Sequence, residues 1–285
     1  MSSYWDNYWQ QGHITSFGTD IQGNYDGTLK DVWQSLFSSL GEGEVLDLCC
    51  GNGALALLAD ESNEALRVTG VDSAALPITS VGKRKHELMA QINCENLPFS
   101  SERFDAVISQ FGVEYTKLDK TLMEVKRVLK LNGTLQFVCH VGDSVIVMPN
   151  KRILDCLDEL FEENGFIDLI TSTMEDSDSL NKLGAKLYHT YREALTATEL
   201  PQFFAYYSRL TADSERKKAV ELFKKEAQGQ RARLKDLCEA ALSVNEIEYV
   251  LQTLNELGFA NIETREIFHE KLGKIGLKIS AKIIQ

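Results

Sequence analysis

The sequence predicts an α/β protein: a doubly wound, mostly parallel sheet of seven strands that ends in an antiparallel hairpin, with a helical insertion after the fifth strand. Three observations carry this. Glu44-Val45-Leu46-Asp47-Leu48-Cys49-Cys50-Gly51-Asn52-Gly53-Ala54-Leu55-Ala56 reads as a short buried strand, a glycine turn and the start of a helix. Strand and helix signals then alternate as far as Val141, the pattern of a parallel sheet covered on both faces. Near the end, Ile275, Leu277, Ile279, Ala281 and Ile283 alternate with Gly276, Lys278, Ser280 and Lys282, which suits a half-exposed antiparallel strand.

In chain order, residues 1–26 concentrate Tyr4, Trp5, Tyr8, Trp9, Phe17 and Tyr25 with Gly12, Gly18 and Gly23. Tyr4/Tyr8 and Trp5/Trp9 are spaced by four, so each pair shares a helical face. This segment is read as a short helix stapled to the core and as an aromatic flap over a ligand. Leu29, Val32, Trp33, Leu36, Phe37 and Leu40 predict a helix ended by Gly41. Strands follow at Val45–Leu48 and Arg67–Asp72, with a short helix from Ser73-Ala74-Ala75. A third strand is read at Leu88–Cys94 and a fourth at Arg103–Ser109. Asp119–Leu131 is an amphipathic helix with Leu122, Met123, Val125, Val128 and Leu129 inward, stopped by Asn132-Gly133. The fifth strand runs from Thr134 to Val141.

From about 150 to 243 only helix signals remain, including the stripes Ile153/Leu154/Leu157/Leu160/Phe161 and Leu180/Leu183/Leu187/Tyr191/Leu195. Phe203, Phe204, Tyr206 and Tyr207 form a second aromatic concentration. The run of Arg216, Lys217, Lys218, Lys224, Lys225, Arg231, Arg233 and Lys235 is interspersed with acids and reads as a solvated helix. Asn245–Leu257 is a regular helix, and Asn261–His269 and Lys274–Ile284 are the closing strands.

Composition bounds the function. With 44% hydrophobic and 25% charged residues the chain is an ordinary globular protein, and its net charge of −12 argues against a broad nucleic-acid surface. No signal peptide, and no apolar run long enough to span a bilayer, is visible, so a cytoplasmic protein is expected. Cys49, Cys50, Cys94, Cys139, Cys156 and Cys238 show no metal spacing and read as small hydrophobes in a reducing compartment. No metal site is expected.

Gly51-Asn52-Gly53-Ala54-Leu55-Ala56 satisfies the dinucleotide fingerprint, and Asp72 follows about 20 residues on. On that pattern an NAD(P)-dependent oxidoreductase is admissible. Asp47, four residues before the first glycine, argues otherwise. A carboxylate aimed into the turn repels a pyrophosphate and favours a ligand with an amine and a sulfonium.

The stretches Glu44–Ala59, Val68–Asp72, Asn93-Cys94-Glu95-Asn96-Leu97-Pro98-Phe99, Phe104–Val107 and Val125–Gly133, in that order, resemble the class I S-adenosylmethionine-dependent methyltransferases. Within them the chain is similar to the small-molecule branch that includes the ubiquinone/menaquinone-biosynthesis C-methyltransferases. The resemblance is close over about residues 40–141 and loose over the last forty. It implies that 1–285 is a single Rossmann-like domain using S-adenosylmethionine, with 150–243 as a helical cap over a small, aromatic or apolar acceptor. The insertion is also a candidate homodimer surface.

Carried over by position, the resemblance implies that Asp47 organises the loop and the methionine end. Gly51 and Gly53 let that moiety lie against the backbone. Asp72 takes the ribose hydroxyls, with Ser73 beside the adenine, and Asn93 and Cys94 read the base. Ser109, Gln110 and Phe111 pass under the transferable methyl. Cys49 stands where the pattern has its first glycine and must tolerate the turn's angles, and Asn93 replaces a common aspartate. Methyl transfer needs a general base only if the acceptor loses a proton. His140, Glu114 and Tyr115, near the carboxyl ends of the fourth and fifth strands, are the candidates, with His13 in the flap. A non-catalytic S-adenosylmethionine-binding regulatory protein remains open beside the enzyme reading.

Overall fold

The computed structural model describes residues 3–17, 23–83, 86–163, 165–172 and 177–284. Part of the expected flap (1–2 and 18–22, with Gly18), part of the insertion (164 and 173–176) and the Leu180 side chain lie outside the described residues. The chain divides into two compact units, Met1–Val145 with Ala240–Gln285, and Ile146–Glu239.

The first unit opens with helices α1 (Ser3–Gln10) and α2 (Gly27–Ser39), then strand β1 (Gly43–Leu48), helix α3 (Ala54–Ser62) and strand β2 (Leu66–Val71). Next come β3 (Ser80–Val81), β4 (His86–Met89), β5 (Phe104–Gln110), a 3-10 turn at Val113–Tyr115, α4 (Leu118–Val128) and β6 (Leu129–Cys139). The second unit contributes α5 (Val147–Leu160), α6 (Phe166–Ser172), α7 (Ser177–Thr196), α8 (Leu200–Tyr207) and α9 (Asp213–Ala240). The chain then returns through α10 (Val244–Glu256), β7 (Phe259–His269) and β8 (Gly273–Ile283).

The sheet has eight strands in the order β3-β4-β2-β1-β5-β6-β8-β7. Strands β4, β2, β1, β5 and β6 are parallel, while β8 lies antiparallel to both β6 and β7. The predicted doubly wound sheet with a closing hairpin is therefore present. Its eighth strand is the two-residue β3, antiparallel at the β4 edge and too short to leave a periodic signal. In β1, four successive residues are buried, because a central parallel strand has helices over both faces. The core runs from Leu46, Leu48 and Val107 through Leu122, Val125 and Phe137 to Leu254 and Ile279.

The third strand lies at His86–Met89 rather than Leu88–Cys94, and three other local expectations fail for identifiable reasons. No helix forms after Asp72, because the Asp72 carboxylate takes the Ala74 N–H in a local turn and the Asp6 side chain takes the Ala75 N–H. β6 starts at Leu129, before Asn132-Gly133, so the predicted breaker lies inside a long strand. Met123 faces solvent at 54% exposure, while Leu122, Val125 and Val128 fill the core.

The second unit packs around its own core, including Leu157, Leu160, Phe166, Leu187, Phe203 and Phe223. Much of the second aromatic concentration goes into helix packing: Phe203 stacks on Phe223 at 4.5 Å, Phe204 meets Phe166 edge-on, and Tyr206 is exposed. In α9, Arg231 reaches Asp158 and Lys235 pairs with Glu239, as a charged outer face would.

Candidate active site at the strand reversal

From β1 the chain winds outward through β2 to β4, then returns to place β5 on the other side of β1. That reversal leaves a crevice beyond the carboxyl ends of β1 and β5, the place where open α/β sheets bind ligands. A cavity lies there, lined by Asp47 of β1, Cys49 and Cys50 just after it, Ala54 and Leu55 of α3, and Gln110 and Phe111 at the end of β5. Trp9, Ile14, Ser16 and Tyr25 complete the wall.

The glycine turn needs backbone angles that favour glycine. Gly51 and Gly53 have φ of 50° and 83°, and Cys49 adopts 56° despite its side chain. The room for that side chain comes from Gly112, where a Cβ would overlap the Cβ of Cys49. The Cys49 sulfur lies 3.8 Å from that of Cys94.

Asp47 is 2% exposed and lines the cavity, with no hydrogen bond or ion pair among the described residues. Burial, with the Asp72 carboxyl nearby, holds its own carboxyl well above the usual range. Asp72 sits differently. Its Oδ2 accepts the Gly51 N–H at 2.8 Å and its Oδ1 the Ala74 N–H at 2.9 Å, so it anchors the glycine turn. Burial raises its pKa, and those two backbone donors work against the rise.

The N-terminal aromatics close the crevice from above. A Cβ on Gly51 would meet the Trp9 ring at 2.5 Å, so the indole lies directly on the turn. Asn52, 1% exposed, donates to the carbonyls of Trp9 (2.9 Å) and His13 (2.8 Å). The asparagine between the two glycines thus clamps the N-terminal segment onto the loop. Its role was not foreseen, although an amide inside a glycine turn was the available signal. Asn24 adds a bond to the Ala54 carbonyl at 2.8 Å. Gln110 accepts the Trp33 indole N–H, which fixes its amide from α2.

The base candidates cluster at the next strand end. Glu114 Oε1 accepts the His140 backbone N–H at 2.7 Å, the Cys139 thiol lies against the carboxyl, and Oε2 is buried with no hydrogen bond of ordinary geometry among the described residues. Burial pushes its carboxyl up to about 7, against the pull of that N–H. The His140 ring stacks on Phe111 at 4.1 Å, with Nδ1 unpartnered, and burial pulls its pKa down to about 3. His140 is therefore neutral at ordinary pH, whereas the Glu114 carboxyl changes charge near neutrality; neither residue is among those that line the cavity. Tyr115 lies edge-on to Trp5 at 5.9 Å.

Other expected residues act locally. Ser109 Oγ donates to the Leu48 carbonyl and accepts the Val113 N–H, tying β5 to β1. Asn93 is exposed, with Oδ1 on the Glu95 N–H. Ser73 is half-buried beside Asp72, and His13 packs against Tyr8 at 4.6 Å. Among the described residues no group of three or more His, Cys, Asp or Glu side chains could hold a metal ion, and no helix is long and apolar enough to cross a membrane.

Residues 46–137, from β1 into β6, match the family of methyltransferase domains. A 2-phytyl-1,4-naphtoquinone methyltransferase of Trichormus variabilis is 36% identical over 97 residues, 31% of this chain and 42% of that protein. A demethylmenaquinone methyltransferase of Bacteroides fragilis is 32% identical over 101 residues, 32% of this chain and 41% of that protein. The chain thus matches these curated relatives over about two fifths of their length. A solved S-adenosylmethionine-dependent methyltransferase from Thermotoga maritima aligns with 90% of this chain and 89% of its own at 14% identity, with a TM-score of 0.45.

Proposed function

We propose that the chain, whose residues 46–137 match the family of methyltransferase domains, binds S-adenosylmethionine in the crevice between β1 and β5 and methylates a small organic acceptor of quinol type. The observation that carries the cofactor reading is Asp47, a buried carboxyl on the cavity wall with no cationic partner among the described residues. Such a group is costly to bury alone and is stabilised by a cationic ligand. An amine and a sulfonium fit it, whereas the pyrophosphate of a dinucleotide does not.

The residues present fit the cofactor in other respects. Gly51 would leave backbone open to a ligand once the Trp9 indole moves aside, while Gly53 packs against Val81 and Leu88 and serves the turn itself. Each Asp72 oxygen keeps a lone pair beyond its backbone bond and can accept from a ribose hydroxyl. Asn93 and the backbone of Cys94 are the residues that would read the base, as the resemblance implies. Bound S-adenosylmethionine would supply an electrophilic methyl group for in-line displacement.

The protein's part is to orient, to exclude water and to manage one proton. Trp9, Tyr25 and Phe111 wall the crevice against solvent. Holding the reactants in line is worth up to about 7–11 kcal/mol in favourable intramolecular cases. Glu114 is the group we assign to take the acceptor's proton through Oε2, which suits a hydroquinone hydroxyl or an activated ring carbon. The quinol reading is supported by the named substrates of the two curated relatives and by this carboxyl.

Isothermal titration with S-adenosylmethionine and S-adenosylhomocysteine tests the cofactor. Incubation with S-adenosylmethionine and a demethylated naphthoquinol, read by mass spectrometry for one added methylene unit, tests the reaction. Binding of neither adenosyl ligand would refute the reading, and binding without methylation of any quinol would refute the acceptor class.

A further inference from the structure

We propose that Cys49 and Cys94 form an oxidisable dithiol whose closure to a disulfide shuts the nucleotide crevice. The consequence for ligand binding rests on the cofactor reading above; the disulfide itself does not.

The two sulfurs lie 3.8 Å apart, although 45 residues separate them in sequence. A disulfide sets them about 2.05 Å apart, so closure needs an approach of roughly 1.7 Å. Each cysteine stands at a particular place. Cys49 follows β1 in the left-handed region where most side chains are disfavoured, and it lines the cavity. Cys94 is 3% exposed and lies in the loop after β4, among the core residues Leu97 and Phe99. A glycine at 49 would fit the turn with less strain. The thiol present there meets a second thiol across the crevice wall.

Contact with Cys94, burial and the nearby carboxyls of Asp72 and Glu114 hold the Cys49 thiol well up, so Cys49 rests as a protonated thiol. Oxidation is therefore slow and needs a small oxidant such as a peroxide that can enter the cavity. The half-buried Cys49 is the entry point. Its sulfur attacks a peroxide oxygen, giving a sulfenic acid and one water. The Cys94 sulfur then displaces the sulfenic oxygen, forming the S–S bond and a second water. Overall two thiols and one hydrogen peroxide become one disulfide and two waters.

The disulfide would draw the glycine turn toward the Cys94 loop and narrow the walls assigned to the base and the ribose. Ligand and disulfide then exclude each other, so ligand protects the thiols as oxidation weakens the ligand. These are two faces of one coupling.

The test treats the full chain with hydrogen peroxide, blocks free thiols with iodoacetamide, maps peptides by mass, and titrates the same sample with S-adenosylhomocysteine. A Cys49–Cys94-linked peptide pair, lighter by two hydrogens, is expected. Affinity should fall at least about tenfold, within the usual range of coupling, and return with dithiothreitol. Prior saturation with S-adenosylhomocysteine should slow the cross-link. Cys94→Ser should give no linked peptide, and its Cys49 should instead carry added oxygen after oxidant. Both cysteines alkylated after oxidation, or a linked pair with unchanged affinity, would overturn the proposal. If the reduced protein binds no adenosyl ligand, the cofactor reading fails, while the linked peptide still decides the disulfide.

Discussion

The Trp9 indole lies on Gly51, so closely that a methyl group at the glycine would fall 2.5 Å from the ring. Helix α1, remote from the glycine turn in sequence, thus covers it. Gly51→Ala combines this overlap with a φ of 50° that an alanine adopts at a cost. We expect a loss of roughly 1–3 kcal/mol, measured by urea unfolding at neutral pH. Unchanged stability would mean that Trp9 does not pack there.

Asn52 is the clamp that keeps α1 on the loop through the carbonyls of Trp9 and His13. Asn52→Ala removes two buried bonds, each worth on the order of 1 kcal/mol. Amide exchange over the described part of the N-terminal segment, residues 3–17, should speed up by about tenfold or more, while exchange in β1 and β5 stays slow. Equal protection in the variant would refute the clamp.

Glu114 links stability and reaction to pH. Its folded pKa of about 7 lies above its ordinary value, so its contribution to stability is full below pH 4.5 and is lost as pH rises toward about 7. Glu114→Gln, whose amide oxygen can still accept the His140 N–H, should therefore gain stability at pH 8 and match the parent near pH 4. In methyl transfer, the parent's rate should climb with pH through about 7, and the variant should lose that limb. A variant that keeps the same pH profile would remove Glu114 from the proton transfer.

His140 runs the other way. Its folded pKa of about 3 lies below its ordinary value, so stability is lost as pH falls from about 6.5 toward 3. His140→Gln should be less sensitive than the parent to acid in that window, read from thermal melts at pH 4 and pH 7. Identical acid sensitivity would show that the ring is not buried neutral.

Much of the fold was legible because its signals are periodic. The alternation at Ile275–Ile283 placed β8, and the Leu122/Val125/Val128 stripe placed α4. What escaped depended on contacts across the fold. Ser73–Ala75 looked like a helix start until Asp72 and Asp6 claimed the backbone N–H groups of Ala74 and Ala75. Asn132-Gly133 looked like a stop, but β6 pairs with β5 at Leu129 and again from Thr134, and the dipeptide falls in the register shift between the two. At the site, Asp47, Cys49 and Gln110 were expected on position in the chain and do line one cavity. The Asn52 clamp and the Cys49–Cys94 contact are long-range, and no local pattern encodes them.

The central claim is that Asp47, buried and without a partner among the described residues, waits for a cationic ligand. Asp47→Asn removes the charge and keeps the shape, so stability and binding should move in opposite directions. The free protein should be as stable as the parent or more so at pH 8, because the raised carboxyl pKa makes the ionised group a cost there. Affinity for S-adenosylmethionine should fall about tenfold or more, as expected when a buried charge pairing is lost. The decisive measurement is calorimetric titration of Asp47→Asn with S-adenosylmethionine, paired with its unfolding curve. Weakened binding on an equally or more stable fold is the predicted result. Unchanged affinity would contradict the account.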